Sequence, residues 1–110
     1  MQPREIKDFQ DEIQTVYGCK SSYCRTVHIR EPVEGGSVWD GFVKVFDLFG
    51  HPDAECCYAW SRRVGSQLKI TLVLNSPPVD SSESAVRSAL AGGEAAKTSI
   101  KKEKPSLPLA

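Results

Sequence analysis

The chain has no run of about 18 apolar residues, which is roughly the length that a membrane-spanning helix needs. Its first residues alternate in charge and contain no apolar stretch of the kind found in an export signal. It also has no excess of either charge, because fourteen basic residues balance fourteen acidic ones. No global field therefore favours nucleic acid or an anionic membrane. We expect a soluble, cytoplasmic protein that does not act at a membrane.

Signatures of catalysis are equally scarce. There is no nucleophile elbow and no glycine-rich phosphate loop, and the only histidines are His28 and His51. The four cysteines do not form the two close pairs of a structural zinc site, because Cys56 and Cys57 are adjacent and would point to opposite faces of a strand. Without an export signal, reduced thiols are expected. We predict neither an enzyme nor a cofactor or metal site.

Aromatic and apolar residues are instead concentrated in one stretch, Val38 to Ser61, VWDGFVKVFDLFGHPDAECCYAWS. Its pattern predicts two strands joined by the corner Gly50-His51-Pro52-Asp53, where proline restricts both its own backbone and that of the preceding residue. A helix starting at Pro52 is the competing interpretation. A chain of 110 residues has room for one domain built around this stretch.

An amphipathic helix is predicted before this stretch. Ile6, Phe9, Ile13 and Val16 follow each other at steps of three and four, and Gly18 suits the position just past a helix end. Residues 1–18 are therefore expected to be a helical segment, followed by a polar loop over residues 19–23.

Strand periodicity dominates residues 25–74. Apolar residues alternate over 25–33, 56–61 and 68–74, while residues 42–48 are apolar on both faces and predict a central strand. Gly41 is expected to mark a bulge or a close approach by a neighbouring element. Asp80 and Glu83 have capping-box spacing before a short helix that Gly92 and Gly93 end.

These elements predict the α+β class, with a four-stranded antiparallel meander packed by a C-terminal helix and an additional N-terminal helix. The domain is expected to span residues 19–93. Residues 94–110 contain four lysines among serines and prolines without apolar periodicity, which predicts a disordered basic tail.

Several segments also resemble a group of small uncharacterised bacterial proteins. The similarity rests on TVHIRE, VWDG, VFDLFGHPDA and CYAWS, followed by a strand, a Pro-Pro break and SAVRSAL, and it covers residues 26–91. The resemblance implies a bacterial one-domain protein and transfers no activity.

The leading functional hypothesis is a protein-interaction or self-association module. A two-layer domain leaves one sheet face open, and Val43, Val45 and Val73 would put apolar surface on it. A homodimer, or the first helix folded across that face, would remove the exposure. The sequence thus predicts a protein partner or a second copy bound at Val43 and Val45.

Two alternatives remain open. In one, Tyr58 and Trp60 stack on nucleic-acid bases while Arg62 and Arg63 contact phosphates. In the other, His51 with Cys56 or Cys57 forms a thiol or metal site. Against this second alternative, a corner histidine commonly hydrogen-bonds the nearby backbone.

Overall fold

The structure, a computed structural model, describes residues 3–33, 35–77, 79–92 and 96–102. In chain order the elements are α1 (Pro3–Tyr17), β1 (Lys20–Pro32), β2 (Val38–Phe49), β3 (Cys56–Val64), β4 (Gln67–Leu74), α2 (Ser82–Leu90) and β5 (Ala96–Lys102). The α+β class is therefore confirmed. Neither helix in these ranges has the length and apolar character needed to cross a bilayer.

The strands form one antiparallel sheet in the order β1-β2-β3-β4-β5. The prediction of four strands is wrong, because residues 96–102 pair with β4 as a fifth strand. The prediction of a disordered tail is wrong for the same residues, and the rest of that tail, residues 94–95 and 103–110, lies outside the described ranges. Residues 20–23, predicted as loop, belong to β1. The strand predicted after the corner at Pro52 is present as β3, so the competing interpretation of a helix there is wrong.

The first helix covers one face of the sheet. Phe9 and Ile13 of α1 are buried in a cluster with residues of β2, β3 and β4, and Ile6 and Val16 pack against its edge. The sheet residues of this cluster include Phe46, Leu48, Cys57, Ala59, Ile70 and Leu72. The spacing seen in the sequence is therefore the buried side of α1, and residues 3–17 are part of the folded domain.

A second buried cluster occupies the other face. It joins Ala85 and Val86 of α2 to residues of all four of the first strands, among them Ile29, Val43, Val45, Tyr58, Trp60 and Val73. β2 contributes to both clusters because its side chains alternate between the faces. No sheet face is left bare at Val43, Val45 and Val73, which are fully or almost fully buried.

A bulge in β1 changes which face of the sheet its side chains point to. The register with β2 shifts between Tyr23 and Arg25, so that Cys24 has no partner in the ladder. Tyr23 consequently packs against the α1-side cluster, whereas Val27 and Ile29 belong to the α2-side cluster. Without the extra residue, these odd-numbered positions would all lie on one face.

The start of α2 is one residue later than the sequence spacing suggests. Ser81 is the N-cap and accepts a hydrogen bond from the Ser84 backbone, while the Ser84 hydroxyl accepts from the backbone N–H of Ser81. The capping box is therefore formed by two serines and not by Asp80 and Glu83. Both pairs have the same spacing, so spacing alone could not choose between them.

Docking of α1 can be tested with two identical substitutions at contrasting sites. Ile13 of α1 is completely buried against the sheet, and Ile100 on β5 is largely exposed. We expect Ile13→Ala to lower the free energy of unfolding by about 2–5 kcal/mol, since it leaves a cavity in the core. Ile100→Ala should change it by only about 0.5 kcal/mol. Urea denaturation of the three proteins measures both values, and equal losses would show that α1 is not part of the cooperative unit.

Candidate functional site

At one end the sheet divides into two ribbons, one made of β1 and β2 and the other of β3, β4 and β5. β2 pairs with β1 along its whole length, but with β3 only from Lys44 to Asp47. The antiparallel register would continue with Val43 opposite Trp60 and Gly41 opposite Arg62, yet these residues do not pair. A cleft therefore opens between the two ribbons beyond Lys44.

The cleft has a volume of about 560 Å³ and an apolar rim. Val38, Phe42 and Leu90 line it, and they are 49%, 61% and 42% exposed. Trp39 and Trp60 form its floor, with ring centroids 5.6 Å apart and an edge-to-face angle of 70°. Three of the largest exposed apolar side chains among the described residues thus surround one concave site, which is the usual mark of a binding surface.

Gly41 lets one of these tryptophans lie flat against the strand. A Cβ at Gly41 would stand 2.9 Å from the Trp39 indole, closer than carbon atoms tolerate. A close approach therefore does occur at Gly41, but the approaching group is the Trp39 side chain of the same strand and not the neighbouring element that the sequence led us to expect. Glycine at this position shapes the floor of the cleft.

The cleft also exposes strand backbone. Residues 38–43 of β2 and 60–64 of β3 each bond to an outer neighbour but not to each other. The amide and carbonyl groups of the two inner edges thus face the cleft and lack ladder partners there. Such an edge is a template for another extended chain.

Charged groups flank the apolar centre. Arg62 lines the cleft, and Lys69 lies with it beside Trp39 and Trp60 in an adjoining hollow at the end of α2. On the β1 side, Asp40 Oδ1 lies 2.6 Å from His28 Nε2, and Asp40 Oδ2 lies 3.3 Å from Arg30 Nε. The basic side chains of this second group are thus paired with an acid of the protein itself.

The sequence-predicted binding residues are mostly in the core. Val43, Val45, Tyr58 and Trp60 are all buried in the α2-side cluster, and the Tyr58 hydroxyl accepts a hydrogen bond from Asn75 at 2.6 Å. The expected apolar surface at Val43 and Val45 is therefore absent from this domain. Of the predicted set, only Arg62 and Arg63 are exposed, and only Trp60 and Arg62 reach the cleft.

The residues of the thiol hypothesis are not brought together. Cys57 is buried in the α1-side cluster and Cys56 packs against the α2-side cluster. His51 Nδ1 instead accepts the backbone N–H of Asp53 at 3.0 Å, as expected for a corner histidine. Within the described ranges, no three histidine, cysteine or acidic side chains are grouped as ligands for a metal ion.

Sequence reasoning missed Trp39, Phe42 and Leu90 as site residues. All three belong to segments whose helix or strand character was recognised, and their apolar side chains looked like further core residues. They are exposed because β2 and β3 do not pair beyond Lys44, where the β1-β2 and β3-β4 hairpins separate. The alternation of apolar residues within one hairpin does not predict where it separates from the other.

Comparisons with protein-family models, curated proteins and solved structures find no match to this chain.

The contact between Gly41 and Trp39 predicts a coupled mutational effect. Gly41→Ala should lower the free energy of unfolding by about 1–3 kcal/mol and change the near-ultraviolet circular dichroism, because the added methyl displaces the indole. In a Trp39→Leu background the same change should cost much less. A double-mutant cycle by urea denaturation measures the coupling, and additive effects would contradict the proposed collision.

Thiol reactivity should follow burial. Burial raises the pKa of the Cys57 thiol to about 12, from an ordinary value of 9.0. The unfolded chain loses this proton first, so we expect the free energy of unfolding to fall as the pH rises from 9 towards 12. Cys57→Ala should reduce that slope.

In the native protein at neutral pH, exposed Cys24 should react with a disulfide reagent long before Cys57 does. Fast labelling of Cys57 would restore the thiol hypothesis.

Proposed function

We propose that this domain binds an extended segment of a partner protein in the cleft between its two ribbons. The observation that carries the proposal is the early end of β2-β3 pairing, which leaves two backbone edges beside exposed apolar side chains. An added strand would bond to one edge and place alternate side chains against the rim. The protein-interaction hypothesis is thereby kept, but its surface moves from Val43 and Val45 to Val38, Phe42 and Leu90.

The size of the site suggests transient binding. Completing the burial of Val38, Phe42 and Leu90 contributes about 3 kcal/mol in total, since each is roughly half exposed and full burial is worth about 2 kcal/mol. Four or five backbone hydrogen bonds add about 1 kcal/mol each. The sum of about 7–8 kcal/mol corresponds to a dissociation constant on the order of 1–10 μM before any cost of ordering the peptide, so the measured affinity should be weaker than this.

A nucleic-acid partner has less support. Base stacking needs an accessible ring face, and Tyr58 and Trp60 do not provide one because both are buried. Exposed Arg62 and Arg63 remain as phosphate-binding groups. This alternative requires an affinity for single-stranded nucleic acid that falls steeply with salt.

Peptide selection with a matched control tests the proposed cleft. A random peptide library is selected on the wild-type protein, and the enriched peptides are measured by calorimetry on two variants. Val38→Lys places a charge on the rim of the cleft, while Ile100→Lys places the same charge on β5, at a residue that is 61% exposed and outside the lining. We expect Val38→Lys to weaken binding by at least about tenfold and Ile100→Lys to leave it unchanged.

The binding mode has its own readout. If the peptide adds as a strand, methylating its backbone nitrogens at alternate residues should abolish binding in one register and spare it in the other. Peptides that tolerate methylation everywhere, or that bind Val38→Lys as well as wild type, would refute the cleft. Sedimentation of the same variants identifies a second copy as the occupant if Val38→Lys alone dissociates a dimer.

A further inference from the structure

A second cavity lies on the α1 side of the sheet, where the first turn of α1 crosses β2. Its volume is about 600 Å³, within the range of roughly 300–1,000 Å³ typical of small-molecule sites. The groups that matter for its chemistry are Glu5, Tyr23, Thr26, Phe42, Lys44 and Ser61.

Lys44 gives this cavity a fixed positive charge. The residue is only 6% exposed, and its Nζ lies 5.7 Å from the centre of the Phe9 ring. A buried ammonium group must be paired, because losing its water shell without compensation costs several kcal/mol. The pairing group is Glu5, whose Oε1 lies 3.2 Å from Lys44 Nζ.

The two members of this pair are buried very differently. The Lys44 side chain is held under α1, whereas the Glu5 side chain is 44% exposed and reaches the cavity from the first turn of the helix. A carboxylate that approaches from solvent can leave more readily than a cation enclosed by the core. The Glu5 contact thus shows that Lys44 pairs with a carboxylate. Because the Glu5 side chain is partly exposed, a carboxylate from another molecule can take its place.

The remaining lining combines hydroxyls with an aromatic wall. Tyr23 Oη and Thr26 Oγ1 are 2.7 Å apart, and Ser61 adds another hydroxyl. The exposed ring of Phe42 is stacked on His28, with centroids 4.9 Å apart and an angle of 27°. A ligand with a carboxylate at one end and a flat apolar group at the other would match these two regions.

We propose that this cavity binds an organic carboxylate, whose acid group replaces Glu5 on Lys44 and whose flat apolar part packs against Phe42. One lysine with a carboxylate already bound favours a monoanion over a phosphate group, which needs more donors. The two sites share Phe42, but the carboxylate would bind at Lys44, which does not line the cleft. Its ligand is either a free aromatic acid or the acidic end of a peptide, which share this chemistry.

Benzoate and benzamide test the charge requirement, because they have nearly the same shape and only benzoate is ionised. In an NMR titration of the ¹⁵N-labelled protein, benzoate should cause saturable shifts at the amides of Glu5, Phe42 and Lys44, and benzamide should not. N-acetylphenylalanine and its amide form a second matched pair. Tighter binding of that acid than of benzoate assigns the site to a peptide end, and the reverse order assigns it to a free acid.

Variants of the ion pair separate this proposal from a purely structural role. Glu5→Gln should strengthen benzoate binding by about fivefold, since it removes the competing carboxylate. Lys44→Met keeps an apolar stem of similar length and should abolish the binding. If Lys44→Met does not fold, Phe42→Ala provides the second test, because its side chain is exposed and its loss should weaken binding of both acids.

The opposite results overturn the proposal. Equal shifts with benzoate and benzamide would show that Lys44 does not select the acid, and weaker binding by Glu5→Gln would show that Glu5 does not compete with it. Absence of shifts near Lys44 would likewise refute the site. Val38→Lys should leave benzoate affinity unchanged, so failure of the cleft and failure of this cavity can be told apart.

Discussion

The short pairing of β2 with β3 is the constraint on which the rest of this structure depends. Lys44 to Asp47 of β2 and Cys56 to Ala59 of β3 are the residues that join the β1-β2 ribbon to the other three strands. Both buried clusters extend across this junction, because neighbouring residues of each strand face opposite sides of the sheet. Packing on two faces therefore supports a connection with few backbone hydrogen bonds.

The same constraint creates both candidate sites. Where pairing stops, the ribbons diverge, and Gly41, Phe42 and Ser61 line the cavities on either side of the opening. One cavity has tryptophans and bare backbone edges, and the other has a buried lysine beneath α1. Two surfaces with different chemistry thus share the residues at the end of one interrupted strand pair.

Local patterns predicted much of the fold. Steps of three and four located α1 and its buried side, alternation located four strands, and proline explained the corner at His51. β5 was missed because its sequence, AKTSIKK, has only one large apolar residue and therefore no strand pattern. Residues 96–102 form a strand because they pair with β4, and that contact is not visible in the local sequence. The burial of Lys44 was missed for a related reason: a lysine in a strand looks like a surface residue until α1 lies over it. The two candidate sites depend on contacts between segments that are distant in the sequence. The spacing of apolar residues within one helix or strand does not predict such contacts.

The strand order has a further consequence for how the chain folds. Every strand pairs with the strand next to it in sequence, so each hairpin can form from recently synthesised residues. Such local pairing is associated with rapid folding. The first helix is the exception, because Phe9 and Ile13 share their cluster with Ile70 and Leu72, about sixty residues later. The first helix is synthesised before the five strands and must therefore wait for β4 before its apolar side can be fully enclosed.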